Sequence, residues 1–184
     1  MSVITEFDFK ILDLIHDKLS CGFLDLIMPK ITFLGNAGLI WIIAAVIMLA
    51  AKKYRRNGRE LAVSLIGCVF IGNLLLKNLV ARSRPCWIND TVNMLIAVPT
   101  DYSFPSGHTM SSFAAAAVIM HTDKMLGIAA YILASLIAFS RLYLYVHFPT
   151  DIIAGAVIGT AIGLAVCTVS RKKALSEGAL INEK

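Results

Sequence analysis

The segment SRLYLYVHFPTD, residues 140–151, marks the change from one long apolar stretch to the next. The first stretch, Met125–Tyr145, and the second, Ile152–Val169, are each close to the roughly 20 apolar residues that an α-helix needs to cross a membrane. A proline lies just before the second stretch, at a position where helices commonly begin. The sequence therefore predicts two transmembrane helices joined by a short polar loop.

The whole chain has the composition of a membrane protein, since 58% of its 184 residues are hydrophobic, more than a soluble domain usually carries. Three further apolar stretches lie at Phe33–Ala51, Leu61–Val80 and Ser106–His121. We predict an all-α, polytopic membrane helical bundle with about six transmembrane helices, five of them in the stretches named so far. Because no repeat or linker divides the chain, residues 1–184 are predicted to form one membrane-embedded domain.

The first 34 residues are amphipathic rather than uniformly apolar. Residues 1–20 are predicted to form an interfacial helix. Charged residues interrupt the segment Cys21–Leu34, which is read either as part of the interfacial region or as a short sixth span; we favour the span. A cleaved signal peptide is not expected, because Glu6 and Asp8 stand where such a peptide has basic residues.

Basic residues indicate the orientation of the chain in the membrane. They cluster at Lys52, Lys53, Arg55, Arg56 and Arg59, and again at Arg171, Lys172 and Lys173. Such clusters face the cytoplasm, so residues 171–184 are predicted to form a cytoplasmic tail. The loops 81–104 and 146–150 then lie on the outer side. The net charge of +5 follows from this topology, and no nucleic-acid partner is expected.

The outer loops carry a first polar pattern, KNLVARSRP, that begins at Lys77 and contains Arg84. Seven residues separate these two cations, so on one helix they would share a face and project toward the same place. Pro85 would end the helix or turn the chain. Arg84 can hold phosphate oxygens with parallel hydrogen bonds, although both cations could also reach lipid headgroups. Arg82 lies off that face, and we expect it to contact headgroups.

A second pattern, Pro105-Ser106-Gly107-His108, precedes an apolar run, and Pro105 is predicted to be the first residue of a helix. The free backbone amides of Ser106, Gly107 and His108 would then form an anion site at the positive end of the helix dipole. An ordinary helix start with an incidental histidine is the alternative for this tetrapeptide alone.

The third pattern places Arg141, His147 and Asp151 within the segment quoted first. Asp151 is close enough in sequence to accept a hydrogen bond from one imidazole nitrogen of His147 and leave the other free to attack. The alternative is an interfacial histidine and a carboxylate that stabilises a helix start. Neither explains the nearby Arg141, so we interpret the group as a phosphate site.

Other features suggest packing rather than chemistry. The cysteines at positions 21, 68, 86 and 167 are scattered, so neither a disulfide framework nor a thiolate metal site is expected. His16 and His121 receive no catalytic role. The series Gly155, Gly159 and Gly163 permits close helix contact. We expect this contact inside the bundle, with a monomer or a homodimer both possible.

The three patterns together resemble the signature motifs of the type 2 phosphatidic acid phosphatase superfamily. The resemblance implies that His147 is a nucleophile that forms a phosphohistidine, that Asp151 orients it, and that His108 protonates the leaving group. It also implies a set of ligands for the phosphoryl oxygens, namely Lys77, Arg84, Ser106, Gly107 and Arg141. No metal and no other cofactor is expected.

The expected function is therefore that of an integral membrane phosphatase whose partners are the membrane and a lipid phosphate or pyrophosphate substrate. Phosphatidic acid, phosphatidylglycerol phosphate and undecaprenyl pyrophosphate are the candidate substrates, at the outer face of a bacterial plasma membrane. The alternatives are a non-catalytic lipid-phosphate binding or transport protein on the same fold and, more weakly, a vanadate-dependent oxidant.

Overall fold

The computed structural model describes residues 3–182, which form helices and, within that range, no strand. The α-helices are α1 (Val3–Leu19), α2 (Gly22–Leu34), α3 (Leu39–Ala50), α4 (Arg55–Cys68), α5 (Lys77–Val80), α6 (Pro85–Ile88), α7 (Gly107–Thr122), α8 (Lys124–Tyr143) and α9 (Pro149–Asn182). Short 3₁₀ turns lie at Asn36–Gly38 and Lys52–Tyr54, and a π-helical segment, Val69–Leu76, joins α4 to α5. The predicted all-α class is confirmed.

Several of these helices can cross a membrane. Among the described residues, three helical segments are long and apolar enough, namely Lys52–Ile88, Lys124–Tyr143 and Pro149–Ser176. The pair α2 and α3 makes a fourth if it counts as one bent span. Helix α7 has 16 residues and falls short of that length. The protein is a multi-pass membrane protein, and the number of about six spans stays a prediction.

Helix α7 packs against α4, α8 and α9, and its alanines 114–116 are fully buried. The approach of α9 is close, since a Cβ atom at Gly159 would lie 2.1 Å from the carbonyl oxygen of Met110. At Gly163 the corresponding distance to the carbonyl oxygen of Ala114 is 2.6 Å. The prediction that the glycine series packs inside the bundle is confirmed, because only glycine allows these backbones to meet.

The prediction of one continuous helix over Phe33–Ala51 is wrong. The chain bends by 45° between α2 and α3, where Ala37 and Gly38 have φ angles of 51° and 72°. Left-handed residues cannot continue a right-handed helix. The bend brings Gly35 against α7, since a Cβ atom there would lie 2.7 Å from Cδ2 of His108.

Two expected helix boundaries around the polar patterns are also wrong. Ala81 has a φ angle of 46° and ends α5 at Val80, so Lys77 and Arg84 do not share a helix. Of the two alternatives for Pro85, the end of a helix is wrong, because Pro85 follows an extended Arg84 and begins α6. Pro105 lies outside α7. Ser106 is the N-cap of α7 because its side chain accepts a hydrogen bond from the backbone N–H of Thr109.

The two ends of the chain are helical as far as the structure describes them. Helix α1 covers residues 3–19 of the predicted interfacial helix, and α9 continues through the predicted tail to residue 182. Residues 1–2 and 183–184, which belong to these two predictions, lie outside the described residues. The interfacial position of the first helix, the cytoplasmic position of the tail and the single domain stay predictions.

Candidate active site

A cavity of about 810 Å³ lies where the α2–α3 bend, the π-helical segment, the loop 89–106 and the ends of α7 and α8 meet. Predicted site residues from all three patterns line it: Lys77, Arg84, Gly107, His108, Arg141 and His147. Ser106 and Asp151 are fully buried behind this wall. The tertiary structure thus brings together residues that are up to 74 positions apart in the chain.

His147 lies in the loop between α8 and α9 and is 1% exposed. Its Nε2 is 3.1 Å from Nη1 of Arg84. A guanidinium only donates hydrogen bonds, so Nε2 carries the lone pair and Nδ1 carries the proton. Burial lowers the pKa of His147 to about 3; Asp151 acts in the opposite direction, and the charges of Arg84 and Arg141 lower it further. The imidazole is therefore neutral near pH 7, the form that a nucleophile requires.

Asp151 was expected to accept a hydrogen bond directly from His147, but its Oδ2 lies 3.7 Å from Nδ1, too long for a hydrogen bond. Oδ2 instead accepts from the hydroxyl of Ser103 at 2.5 Å and from the backbone N–H of Phe148 at 2.9 Å. The Ser103 hydroxyl lies 3.4 Å from Nδ1 of His147. Ser103 therefore stands between the carboxylate and the imidazole.

Arg82, for which we expect a headgroup contact, forms ion pairs with two buried carboxylates. Its Nη1 donates to Oδ1 of Asp151 at 2.7 Å, and its Nη2 donates to Oδ2 of Asp8 at 2.6 Å. The guanidinium also lies 4.1 Å from the ring centroid of Phe148. Sequence reasoning missed this contact because Asp8 and Asp151 come from opposite ends of the chain and share no local pattern with Arg82.

Lys77 and Arg84 project toward the same place, as expected, but they meet on a carboxylate that the sequence reasoning did not single out. Nη2 of Arg84 donates to Oδ1 of Asp101 at 2.7 Å, and Lys77 forms an ion pair with the same carboxylate. Burial raises the pKa of Asp101, but Lys77 and Arg84 outweigh it and hold that pKa at about 2. The one feature of the sequence that could have indicated Asp101 is its position four residues before Pro105, the first residue of the second polar pattern.

Arg141 extends from α8 to the cavity and is 4% exposed. Its Nη1 donates to the hydroxyl of Thr32 at 2.7 Å. Its Nε is buried and has no hydrogen-bond partner within residues 3–182. A buried charged donor without a partner is costly in free energy, so an anion in the cavity beside Arg141 would be stabilised.

The N-terminus of α7 supplies fewer free amides than expected. The backbone N–H of Ser106 donates to the carbonyl oxygen of Asp151 at 3.2 Å. The Ser106 hydroxyl oxygen accepts a hydrogen bond from the Thr109 hydroxyl at 3.0 Å. Ser106 is thus occupied by capping, and the first turn faces the cavity through Gly107 and His108. Nε2 of His108 lies 2.9 Å from Oδ1 of Asn36, a residue at the α2–α3 bend that the sequence patterns did not include.

The far side of the cavity is apolar. Its wall includes Phe33, Ile42, Leu65, Ile66 and Val69, from α2, α3, α4 and the π-helical segment. Ile66 and Val69 are 64% and 50% exposed on the outside of the bundle. The charged end of the cavity is therefore continuous with an apolar surface that would face lipid.

Residues 57–174 match the sequence model of the PAP2 superfamily. This match covers more than half of the chain, and it spans the three polar patterns that meet at the cavity. The chain belongs to the PAP2 superfamily, which is the family that the sequence motifs predicted.

Several relatives in this family are phosphatases by name. The chain is 34% identical to an undecaprenyl-diphosphatase of Sulfolobus acidocaldarius, over 66% of this chain and 59% of that protein. It is 35% identical to the decaprenylphosphoryl-5-phosphoribose phosphatase of Mycobacterium tuberculosis, over 70% and 71% of the two chains. It is 30% identical to phosphatidylglycerophosphatase B of Bacillus subtilis, over 72% and 68%. These names support the expectation of a phosphatase enzyme.

Solved structures share the fold. The crystal structure of Aquifex aeolicus LpxE superposes with a TM-score of 0.80 at 24% identity and covers 91% of this chain and 99% of its own. A PAP2-type phosphatidylglycerolphosphate phosphatase from Bacillus subtilis superposes with a TM-score of 0.77 at 25% identity, over 94% and 88% of the two chains. The helical arrangement is therefore that of membrane PAP2 proteins.

Proposed function

We propose that this protein is an integral membrane phosphatase that hydrolyses a lipid phosphate or pyrophosphate through a phosphohistidine on His147. One observation carries the proposal: the neutral, buried imidazole of His147 opens on a cavity that is also lined by Lys77, Arg84 and Arg141. A phosphoryl group in transfer spreads negative charge over its oxygens, and fixed cations stabilise it.

In the first step Nε2 of His147 attacks phosphorus, and the bond from phosphorus to the leaving oxygen breaks. Burial, followed by the charges of Arg141, His147 and Arg84, lowers the pKa of His108 to about 2. The negative charge of the substrate phosphate offsets these effects and raises that pKa, so His108 takes up a proton when substrate binds. His108 then donates this proton to the leaving oxygen, so the lipid leaves as an alcohol or, from a pyrophosphate, as a monophosphate. In the second step water attacks the phosphohistidine while His108 takes a proton from the water. Inorganic phosphate leaves and neutral His147 is restored.

The cations act at both steps. Arg84 and Lys77 bind Asp101 in the structure, so a phosphoryl oxygen takes the place of that carboxylate. Arg141 and Gly107 line the cavity, and the Arg141 guanidinium and the Gly107 backbone N–H supply further donors. Three cations at one phosphoryl group supply the charge that magnesium provides in many phosphotransferases.

The apolar wall of the cavity supports a lipid substrate. A chain that enters between α3 and the π-helical segment would place its phosphate at the charged end. The names of the relatives point the same way, because they include polyprenyl and phosphatidylglycerol phosphates. Phosphatidic acid, phosphatidylglycerol phosphate and undecaprenyl pyrophosphate are therefore the substrates that we propose to compare.

The position of the basic residues supports an outward-facing site in a bacterial plasma membrane. Nε of Arg56 donates to the hydroxyl of Ser170 at 3.2 Å, which brings both basic clusters to one end of the bundle. Asp151 lies 19 residues before Ser170 on α9, about 28 Å away at 1.5 Å per residue. That length is close to the thickness of the hydrocarbon core. If the basic end is cytoplasmic, the cavity opens outward.

The test is phosphate release by detergent-purified protein with excess EDTA on each of the three lipids. His147→Ala is compared with His121→Ala, which changes an exposed histidine at the C-terminal end of α7. We expect release that persists in EDTA, survives in the His121 variant and disappears in the His147 variant. Normal turnover by His147→Ala would refute the nucleophile assignment. Absence of release from every lipid by folded wild-type protein would favour a binding or transport role.

A further inference from the structure

We propose that Asp8 and Arg82 are positioning residues for the reaction, so that the N-terminal helix α1 helps to hold Asp151 in place beside His147. The inference rests on the proposed role of His147 as the nucleophile. Neither Asp8 nor Arg82 was among the residues that the sequence patterns assigned to catalysis, and neither lines the cavity. Their effect on the reaction therefore passes through Asp151.

The contacts form a continuous chain from α1 to the catalytic loop. Arg82 uses one nitrogen for Asp8, at 2.6 Å, and another for Asp151, at 2.7 Å. Both carboxylates are fully buried, and the Arg82 side chain is 19% exposed. Because a buried carboxylate without a partner is strongly destabilised, Arg82 favours the conformation in which both carboxylates point toward it.

The choice of oxygen atom matters for the site. Arg82 binds Oδ1 of Asp151, which leaves Oδ2 to accept from Ser103 and from the backbone N–H of Phe148. Oδ2 is the oxygen on the His147 side, 3.7 Å from Nδ1. Loss of Arg82 would leave Oδ1 without its charged partner and free the carboxylate to rotate.

Asp8 holds more than Arg82. It accepts from the backbone N–H of Thr150 at 3.1 Å and from the Thr150 hydroxyl at 2.5 Å. Thr150 directly precedes Asp151 in the first turn of α9. The next residue of α1, Phe9, packs edge-on against Phe148, with ring centroids 5.1 Å apart. Helix α1 thus fixes the start of α9 and the residue that follows His147.

The experiment measures kcat and KM for phosphate release by Asp8→Asn, Arg82→Gln and the double variant. In metal sites, residues that orient a ligand side chain typically contribute about 10-fold to 100-fold. Arg82 and Asp8 orient Asp151 in the same way, so we expect each single variant to lose about that much kcat with little change in KM. KM should change little because these variants leave in place Lys77 and Arg141, which would bind the substrate phosphate. Arg82→Lys keeps one cationic donor and should recover part of the loss.

The double variant shows whether the two residues act as one unit. If Asp8 acts through Arg82, the double variant should lose no more kcat than Arg82→Gln alone, because coupled sites are not additive. Asp17→Asn is the matched control, since it removes an exposed carboxylate from the same helix. We expect this control to keep wild-type kcat.

A variant could lose activity only because less of it folds. We therefore express kcat per folded molecule, at a temperature well below the unfolding midpoint of each variant, so that only a loss of turnover by folded protein counts. Wild-type kcat per folded molecule in both single variants would overturn the inference. A double variant that loses more kcat than Arg82→Gln would show that Asp8 also acts through Thr150, the second contact from α1 to the start of α9. If Arg82→Gln does not fold, Asp8→Asn and Arg82→Lys carry the same comparison. Failure of the proposed function can be told apart from failure of this inference. If the protein is not a phosphatase, wild type and Asp17→Asn release no phosphate at all.

Discussion

Nη1 of Arg84 lies 3.1 Å from Nε2 of His147, so a cation that would bind phosphate also determines which imidazole nitrogen carries the proton. The same guanidinium donates to the carbonyl oxygen of Val146 at 2.7 Å, which holds it against the loop that carries His147. Protonated His147 would place two positive charges in contact. Arg84 therefore favours neutral His147, with the lone pair of Nε2 directed away from Asp151.

The buried, neutral state of His147 predicts that the protein loses stability as the pH falls. Its pKa is about 3 in the folded protein and 6.5 in its ordinary range, so between these values the unfolded chain binds a proton that the folded chain does not. The free energy of unfolding must then fall from pH 6.5 downward. We expect the unfolding midpoint of wild type to fall more steeply than that of His147→Gln, measured in detergent between pH 6.5 and 4.5.

Exposed His121 provides the control for this measurement, since His121→Gln should keep the slope of wild type. Asp101 does not interfere, because the stability that its low pKa provides is present above its ordinary value of 3.8 and is lost only as the pH falls toward about 2. Parallel curves for wild type and His147→Gln would contradict the burial of a neutral His147.

Asp101→Asn should strengthen the binding of inorganic phosphate. The Asp101 carboxylate is 53% exposed and occupies Lys77 and Arg84, the donors that a phosphoryl oxygen would use. Removal of a competing charged hydrogen bond of about 1.4 kcal/mol corresponds to about tenfold. The measurement is the inhibition constant of inorganic phosphate in the release assay, and Asp90→Asn, an exposed carboxylate of the same loop, is the control. Weaker inhibition in Asp101→Asn would mean that Asp101 organises the two cations instead.

Arg141→Gln should reduce kcat by about 100-fold or more, the usual effect of removing a donor that stabilises transition-state charge. The reason is that its buried Nε has no partner within residues 3–182 and the side chain lines the cavity. Arg59→Gln, which removes an exposed charge at the basic end of the bundle, should keep wild-type kcat. Equal kcat values for the two variants would remove Arg141 from the site.

His108→Gln should affect substrates according to their leaving groups. A lipid alkoxide needs a proton as it departs, whereas nitrophenolate does not, and general-acid catalysis contributes about 10²–10⁴-fold. We expect a much larger loss of kcat on phosphatidic acid than on p-nitrophenyl phosphate. His147→Gln should abolish turnover of both. A loss of the same size on both substrates in His108→Gln would argue against a general acid at this position.

Most of the charged residues that line the cavity could be predicted because their signals are local. An apolar stretch predicts a helix wherever it occurs, and Arg141, His147 and Asp151 lie within one short segment. Helix ends were predicted less well. Ala81 and Ala37 adopt left-handed conformations that nothing in their side chains demands, so the surrounding structure must impose them.

The sequence by itself determined that this is an all-α membrane protein of the PAP2 superfamily and which residues of the three motifs meet, because hydrophobic length and motif spacing are properties of short segments. Only the tertiary structure decided how those residues are held. Asp101 between Lys77 and Arg84, Ser103 beside His147, and Asp8 reaching Arg82 from α1 are contacts across the fold. Such contacts depend on where buried charges find partners once the helices pack, and no spacing along the chain encodes that choice.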